Sequence, residues 1–153
     1  VRHSRSYSGF LISILRLPPS RKEERSIRED SREILSRFSL LEQAEKPAAA
    51  LPLGIRRMVE LARALAAEPQ LLLLDEPASG LTIRETEELA RTISDIGKNG
   101  VSILLVEHDM TMVMELSEMV VVLNFGEKIA EARPKEIQSN PKVIQSYLGE
   151  EDA

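Results

Sequence analysis

The run Leu71-Leu72-Leu73-Leu74-Asp75-Glu76-Pro77 decides how the rest of this chain is read. Four consecutive leucines without polar alternation predict a strand covered on both faces, as inner strands of a parallel sheet are. The two carboxylates at its end lie where such sheets bind ligands, beyond the carboxyl ends of the strands. A second buried strand over Val101 to Val106 delivers Glu107-His108-Asp109 toward the same edge. Two strand ends then converge on one site.

Working outward, Ile55, Met58, Val59, Ala62, Leu65 and Ala66 form one apolar stripe between Gly54 and Ala67, while Arg56, Arg57, Glu60 and Arg63 take the other faces. That spacing predicts a packed amphipathic helix ahead of the leucine strand. Thr82-Ile83-Arg84-Glu85 has capping-box form and opens a helix whose Leu89, Ala90, Ile93 and Ile96 face inward, with Gly97 and Gly100 at its end. Asp109 suits the cap of a short helix after the second strand. Val120 to Leu123 and Lys128 to Glu131 read as short strands joined by a turn over Asn124-Phe125-Gly126-Glu127, and two small helices finish the chain.

Upstream, Ile27, Ile34, Leu35 and Phe38 recur at helical spacing, with Pro18-Pro19 and Pro47 as punctuation. Strands alternating with helices imply an α/β fold with a parallel sheet, right-handed crossovers and an added hairpin. Three segments follow: residues 1–52 mostly helical, 53–133 carrying the sheet and its carboxylates, and 134–153 closing with helices.

With 153 residues the chain fits one ordinary domain, and 42% hydrophobic with 29% charged residues matches a soluble globular composition. A net charge of -5 argues against a general nucleic-acid binder, which carries a broad basic footprint. No cysteine is present, so disulfides, thiolate metal sites and cysteine nucleophiles are excluded; cytosolic placement fits. The apolar run Phe10 to Leu17 is interrupted by Ser13 and Arg16, too short to cross a bilayer, and Leu17-Pro18-Pro19-Ser20 offers no signal-peptidase site.

The residue types at the strand ends suit phosphate chemistry. Asp75 is a hard oxygen donor for Mg²⁺, which keeps part of its water shell. Glu76 is placed to orient or deprotonate a water attacking a terminal phosphate, and His108 to hydrogen-bond that phosphate. Each also fits a plainer role, the acidic pair as a helix-start or loop pair and the histidine as a polar loop residue. Met110, Met112 and Met114 read as core packing.

Taken in order, these elements resemble the ATP-binding subunits of ABC transporters. Leu51-Pro52-Leu53-Gly54-Ile55 stands in the signature position, the leucine strand with Asp75-Glu76 in that of Walker B, Pro77-Ala78-Ser79-Gly80-Leu81-Thr82 in that of the D-loop, and His108 in that of the switch histidine. Leu-Pro-x-Gly, Val106-Glu107-His108-Asp109-Met110, and Asn140-Pro141 through Tyr147-Leu148-Gly149-Glu150 are similar to the branched-chain amino acid importer branch. The resemblance implies a P-loop NTPase-like three-layer fold with part of the helical subdomain in residues 1–52, and ATP and Mg²⁺ as cofactors. It implies Glu76 and His108 as catalytic residues, Asp75 as the metal ligand, and Leu51, Pro52, Leu53, Gly54, Ile55 and Ser79 as further nucleotide contacts. It also implies a dimer with a second ATP-binding subunit, docked on membrane permease subunits at the cytoplasmic face, with no nucleic-acid partner.

Several positions depart from the family pattern. No Gly-x-x-x-x-Gly-Lys-[Ser/Thr] phosphate loop occurs; Gly97-Lys98-Asn99 ends a helix and lacks the preceding glycine and the hydroxyl. That loop and the glutamine-bearing loop lie upstream in the family, so the chain is expected to be a C-terminal portion, inactive alone. Pro52 replaces the signature serine, Thr82 the D-loop aspartate, and Ala132-Arg133 the usual Gly-Thr. Phe10 to Leu17 and its arginine-rich flank fall in the part facing the permease. A non-catalytic interaction module derived from the same fold is the alternative function, followed by a DNA-repair ATPase, which the acidic charge and missing coiled-coil heptads disfavour.

Overall fold

The computed structural model describes residues 18–148. Helix α1 spans Pro18–Arg37, and short 3-10 turns follow at Leu41–Gln43 and Ala48–Ala50. Then come α2 (Leu53–Leu65), β1 (Leu71–Asp75), α3 (Ile83–Lys98), β2 (Ser102–Val106), α4 (Met110–Leu116), β3 (Val120–Asn124), β4 (Glu127–Ala132), α5 (Pro134–Gln138) and α6 (Pro141–Leu148). The expected order of helices and strands is present. Pro18 and Pro19 do not punctuate α1 but begin it, as proline is tolerated in a first turn where the amide has no helical partner. Among the described residues no helix is long and apolar enough to cross a membrane.

Two compact units divide the chain, one running to Leu72 and including Asn99–Leu104, the other comprising Leu73–Lys98 and the residues from Leu105 onward. In the first unit α1 packs on α2. Leu40, Leu51, Leu61, Ala62 and Leu72 are buried there. The stripe read from sequence captures Ala62, at 3% exposure, but passes over its neighbour Leu61, which is buried to almost the same degree at 4%.

The second unit buries Leu89, Ala90, Ile93 and Ile96, the four inward positions expected of α3. Val120, Ile137 and Val143 form a further core cluster, with Val113, Met114, Val122, Ile129, Ala130 and Ala132 packed against it. Met112 is 2% exposed and Met114 packs against this cluster, so these two methionines of α4 serve packing as expected. The predicted Phe10 to Leu17 segment lies outside the described residues.

β1 and β2 pair as one two-stranded sheet, and β3 and β4 as another. At one end of the first sheet the Ser102 amide donates to the Gln70 carbonyl; at the other the Glu76 amide donates to that of Val106. Both pairings ascend together, the parallel sense. The hairpin is antiparallel, its register slipping between Val122 and Leu123 so that Ile129 has no opposite residue. It forms its own sheet and does not extend the first.

Within this chain the leucine strand is covered on one face only, against the expectation of cover on both. Leu71 and Leu73 are 54% and 66% exposed while Leu72 is 6% exposed, and in β2 Leu104 and Val106 are more than half exposed. Exposure alternates with the period of a strand even though the residue type does not. The described residues cover the face carrying Leu72 and leave the apolar residues of the other face open.

Candidate functional site

Each strand hands its last residues to a loop that bends away at once. Asp75 closes β1 on its exposed face. Glu76 then adopts a positive φ of 42°. Its amide donates to Val106 at 2.8 Å, so the backbone is anchored to β2 at the very residue where it turns. The Ser79 amide donates back to the Glu76 carbonyl at 3.1 Å and the Leu81 amide to Ala78 at 3.1 Å, two consecutive turns that carry the chain to Thr82. Gly80, with φ of 79°, fits the left-handed step in this loop that a side chain would strain.

Thr82 starts α3 as a capping box. Its amide and hydroxyl both donate to Glu85 Oε2, at 2.9 and 2.7 Å, and the Glu85 amide donates to Thr82 Oγ1 at 3.4 Å. Across the site, the Asp109 carboxylate accepts the Met112 amide at 3.1 Å and caps α4. His108 is thereby held between the end of β2 and a capped helix start.

His108 Nδ1 lies 3.9 Å from Glu76 Oε1 and 3.9 Å from Glu107 Oε2. These are contacts and not hydrogen bonds. The Glu76 and His108 side chains are 55% and 72% exposed, open to a ligand. The second unit thus brings Glu76 and His108 together, with Asp75 at the end of β1 and Ser79 on the loop that follows Glu76.

Glu107 was absent from the residues selected by sequence. Its side chain is 1% exposed. Oε1 accepts the Ala78 amide at 2.8 Å and Oε2 the His108 amide at 3.2 Å. Period-two alternation along β2 carries the signal: 103, 105 and 107 share a face, opposite the exposed Leu104, Val106 and His108.

Leu51 to Ile55 belong to the first unit. Leu51 is buried, Pro52 exposed, and Leu53, Gly54 and Ile55 form the half-buried first turn of α2. Pro52 occupies the N-cap with φ of -54° and ψ of 155°, and no side chain caps the helix. Its first-turn amides therefore lack the internal acceptor that Thr82 gives α3. A helix start of this kind favours an anion.

Residues 3–79, half of the chain, match the ABC transporter family, and residues 127–153 match the family described as branched-chain amino acid ATP-binding cassette transporter. The chain is 38% identical to the high-affinity branched-chain amino acid transport ATP-binding protein BraF of Pseudomonas aeruginosa, over 97% of its own length and 59% of that protein's. It is 32% identical to the lipopolysaccharide export system ATP-binding protein LptB of Haemophilus influenzae, over 81% of this chain and 52% of LptB. The crystal structure of the ADP conformation of MJ1267, an ATP-binding cassette of an ABC transporter, superposes with a TM-score of 0.73 at 28% identity, covering 79% of this chain and 49% of that one. The chain spans under two thirds of each of these relatives. It belongs to the ABC transporter family, with the sequence and α/β fold of the ATP-binding domain.

Proposed function

We propose that this chain supplies part of the ATP-hydrolysing subunit of an ABC transporter that imports branched-chain or similar amino acids. The observation that carries the reading is the meeting of two strand ends: Glu76 beyond β1 and His108 beyond β2, 3.9 Å apart and open to solvent. Glu76 accepts a proton from the attacking water. His108 donates to the phosphate oxygens on which charge gathers as the bond breaks.

Asp75 is the residue suited to the divalent ion. Among the described residues no three His, Cys, Asp or Glu side chains group into a metal cage. A single exposed carboxylate fits Mg²⁺, which takes one or two protein carboxylates and completes its shell with water and phosphate oxygens. When bound, the ion neutralises phosphate charge and fixes the nucleotide's orientation.

The uncapped start of α2 supplies the amides of Leu53, Gly54 and Ile55 as donors for the phosphate of a nucleotide held by a second subunit, while Leu51 and Pro52, whose backbones have no amide to spare, shape the approach. Ser79 adds a hydroxyl in the loop beside Glu76. The reading pairs the chain with that second ATP-binding subunit and with permease subunits, peripherally at the cytoplasmic face of the membrane. Segments 1–52, 53–133 and 134–153 then serve as helical subdomain portion, catalytic core and C-terminal helices.

The amino acid assignment follows the greater identity to BraF than to LptB and the family match over residues 127–153. A chimera in which this chain replaces the matching part of BraF tests both levels. Glu76→Gln in the chimera retains ATP binding and loses hydrolysis; undiminished turnover removes the catalytic assignment. Uptake of labelled leucine by cells carrying the chimera tests the solute.

A further inference from the structure

Glu107 differs from its acidic neighbours. Its side chain is 1% exposed, against 55% for Glu76. A carboxylate removed from water needs hydrogen bonds in its place. Here both come from backbone: Oε1 takes the Ala78 amide at 2.8 Å and Oε2 the His108 amide at 3.2 Å. One oxygen grips the loop that carries Glu76, and the other grips the residue that faces it.

We propose that Glu107 is a positioning residue, a latch that fixes the 76–82 loop to the backbone of His108 so that Glu76 and His108 keep their spacing as a unit. Its catalytic consequence rests on the ATPase reading above. At 1% exposure the Glu107 side chain does not meet a ligand directly. The Glu76 amide already bonds to Val106 at 2.8 Å, which anchors the root of the loop. That bond leaves the turn beyond it free to pivot about Glu76, with φ of 42°. Glu107 removes this freedom by holding Ala78, and the turn bonds from Ser79 to Glu76 and from Leu81 to Ala78 pass the constraint along the loop. Accepting one amide on each oxygen suits a single side chain to joining two segments of backbone.

The test uses this chain without nucleotide. Amide hydrogen exchange is followed in the wild type, Glu107→Gln and Glu107→Ala. Glutamine keeps one acceptor but turns an NH₂ toward the other amide, and alanine removes both acceptors. The Ala78 and His108 amides are expected to exchange roughly ten-fold faster in Glu107→Ala, with one of the two affected in Glu107→Gln, while Leu89 and Ile93 of α3 keep their protection. Unchanged exchange at Ala78 overturns the latch. Loss of protection at Ile93 as well overturns it in favour of a general structural role.

Transmission is read separately from the ring resonances of His108. Gly80→Ala strains the loop at a φ of 79°. It shifts those resonances when Glu107 is present and leaves them in place when Glu107→Ala is combined with it; equal shifts in both backgrounds overturn the proposal. Failure of the ATPase reading is distinguishable, because it shows as turnover indifferent to Glu76→Gln and leaves the exchange pattern intact.

Discussion

Glu76 donates its amide to the Val106 carbonyl at 2.8 Å while holding φ at 42°, so the chain enters the left-handed region one residue past β1. A side chain there costs about 1–2 kcal/mol relative to glycine's free access. The strain is tolerated at a position that presents a carboxylate to His108. Glu76→Gly is therefore expected to be more stable than Glu76→Ala by about 1 kcal/mol in urea denaturation, reversing the usual order of the two residues. Alanine the more stable of the two would remove the strain argument.

Thr82 and Glu85 satisfy one another's backbone and side-chain donors at the start of α3. Thr82→Ala should cost about 1 kcal/mol, the usual value of an N-cap. Thr82→Asp, which restores the residue common in the resembling family, sets a carboxylate against Glu85 and deletes the hydroxyl that donates at 2.7 Å. At neutral pH that variant is expected to unfold before the wild type, with the gap narrowing as acid protonates the pair. An aspartate variant at least as stable as wild type would mean that Glu85 turns away.

Phe125 and Gly126 have φ of 47° and 83° between β3 and β4. Positive φ at both central residues is the mark of a type I′ hairpin turn, for which Asn-Gly is the favoured pair. Phe125 is 95% exposed and makes poor use of this position. Phe125→Asn should raise stability by about 0.5–1 kcal/mol. Gly126→Ala should lower it by a similar amount, and through backbone alone, since nothing lies within 4 Å of an added Cβ. A thermal melt of both variants decides the matter.

How far these features were legible in sequence depends on whether the signal was local. The Thr82 to Glu85 box, the Asp109 cap and the four inward positions of α3 are written in neighbouring residues, and the structure has them as read. The turn between β3 and β4 was also expected, but two residues longer, because Asn124 and Glu127 belong to the strands. Four leucines state which residues tolerate burial and not which layers bury them, and the described residues cover one face of β1. Glu107 was missed because its partners, Ala78 and the His108 amide, are backbone groups; nothing in the residue types 29 positions away announces the bond. Glu76 and His108 were selected by resemblance and by strand order, while their 3.9 Å separation needed the fold.

Glu131 and Lys128 form an ion pair at 2.6 Å along β4. The hydrogen bond from Lys128, reinforced by its charge, lowers the Glu131 carboxyl below its ordinary value. Since the folded value is depressed, the stability it contributes is fully present above the unfolded carboxylate range and is lost as pH falls through the lowered folded value. Both side chains are about half exposed, so the contribution is small and screened by salt. NMR titration should place Glu131 below an ordinary glutamate at low salt, and Lys128→Met should return it. An unmoved titration in that variant would assign the shift elsewhere.

Ile137 has no exposed surface and sits with Val120 and Val143 in the core that joins the hairpin to the last helices. The side chain lies on α5, a helix of five residues with no side-chain cap, too short to persist without its packing. Ile137→Ala should therefore cost about 2–5 kcal/mol, the range for removing a buried isoleucine from a site that cannot close over the gap. Ile144, 42% exposed one residue past Val143, is the control. Ile144→Ala should fall within about 1 kcal/mol of wild type. If α5 and α6 were held mainly by their own backbone bonds, the two variants would melt together; separation of their denaturation midpoints, with Ile137→Ala the lower, marks packing against β3 and β4 as what keeps the C-terminal helices in place.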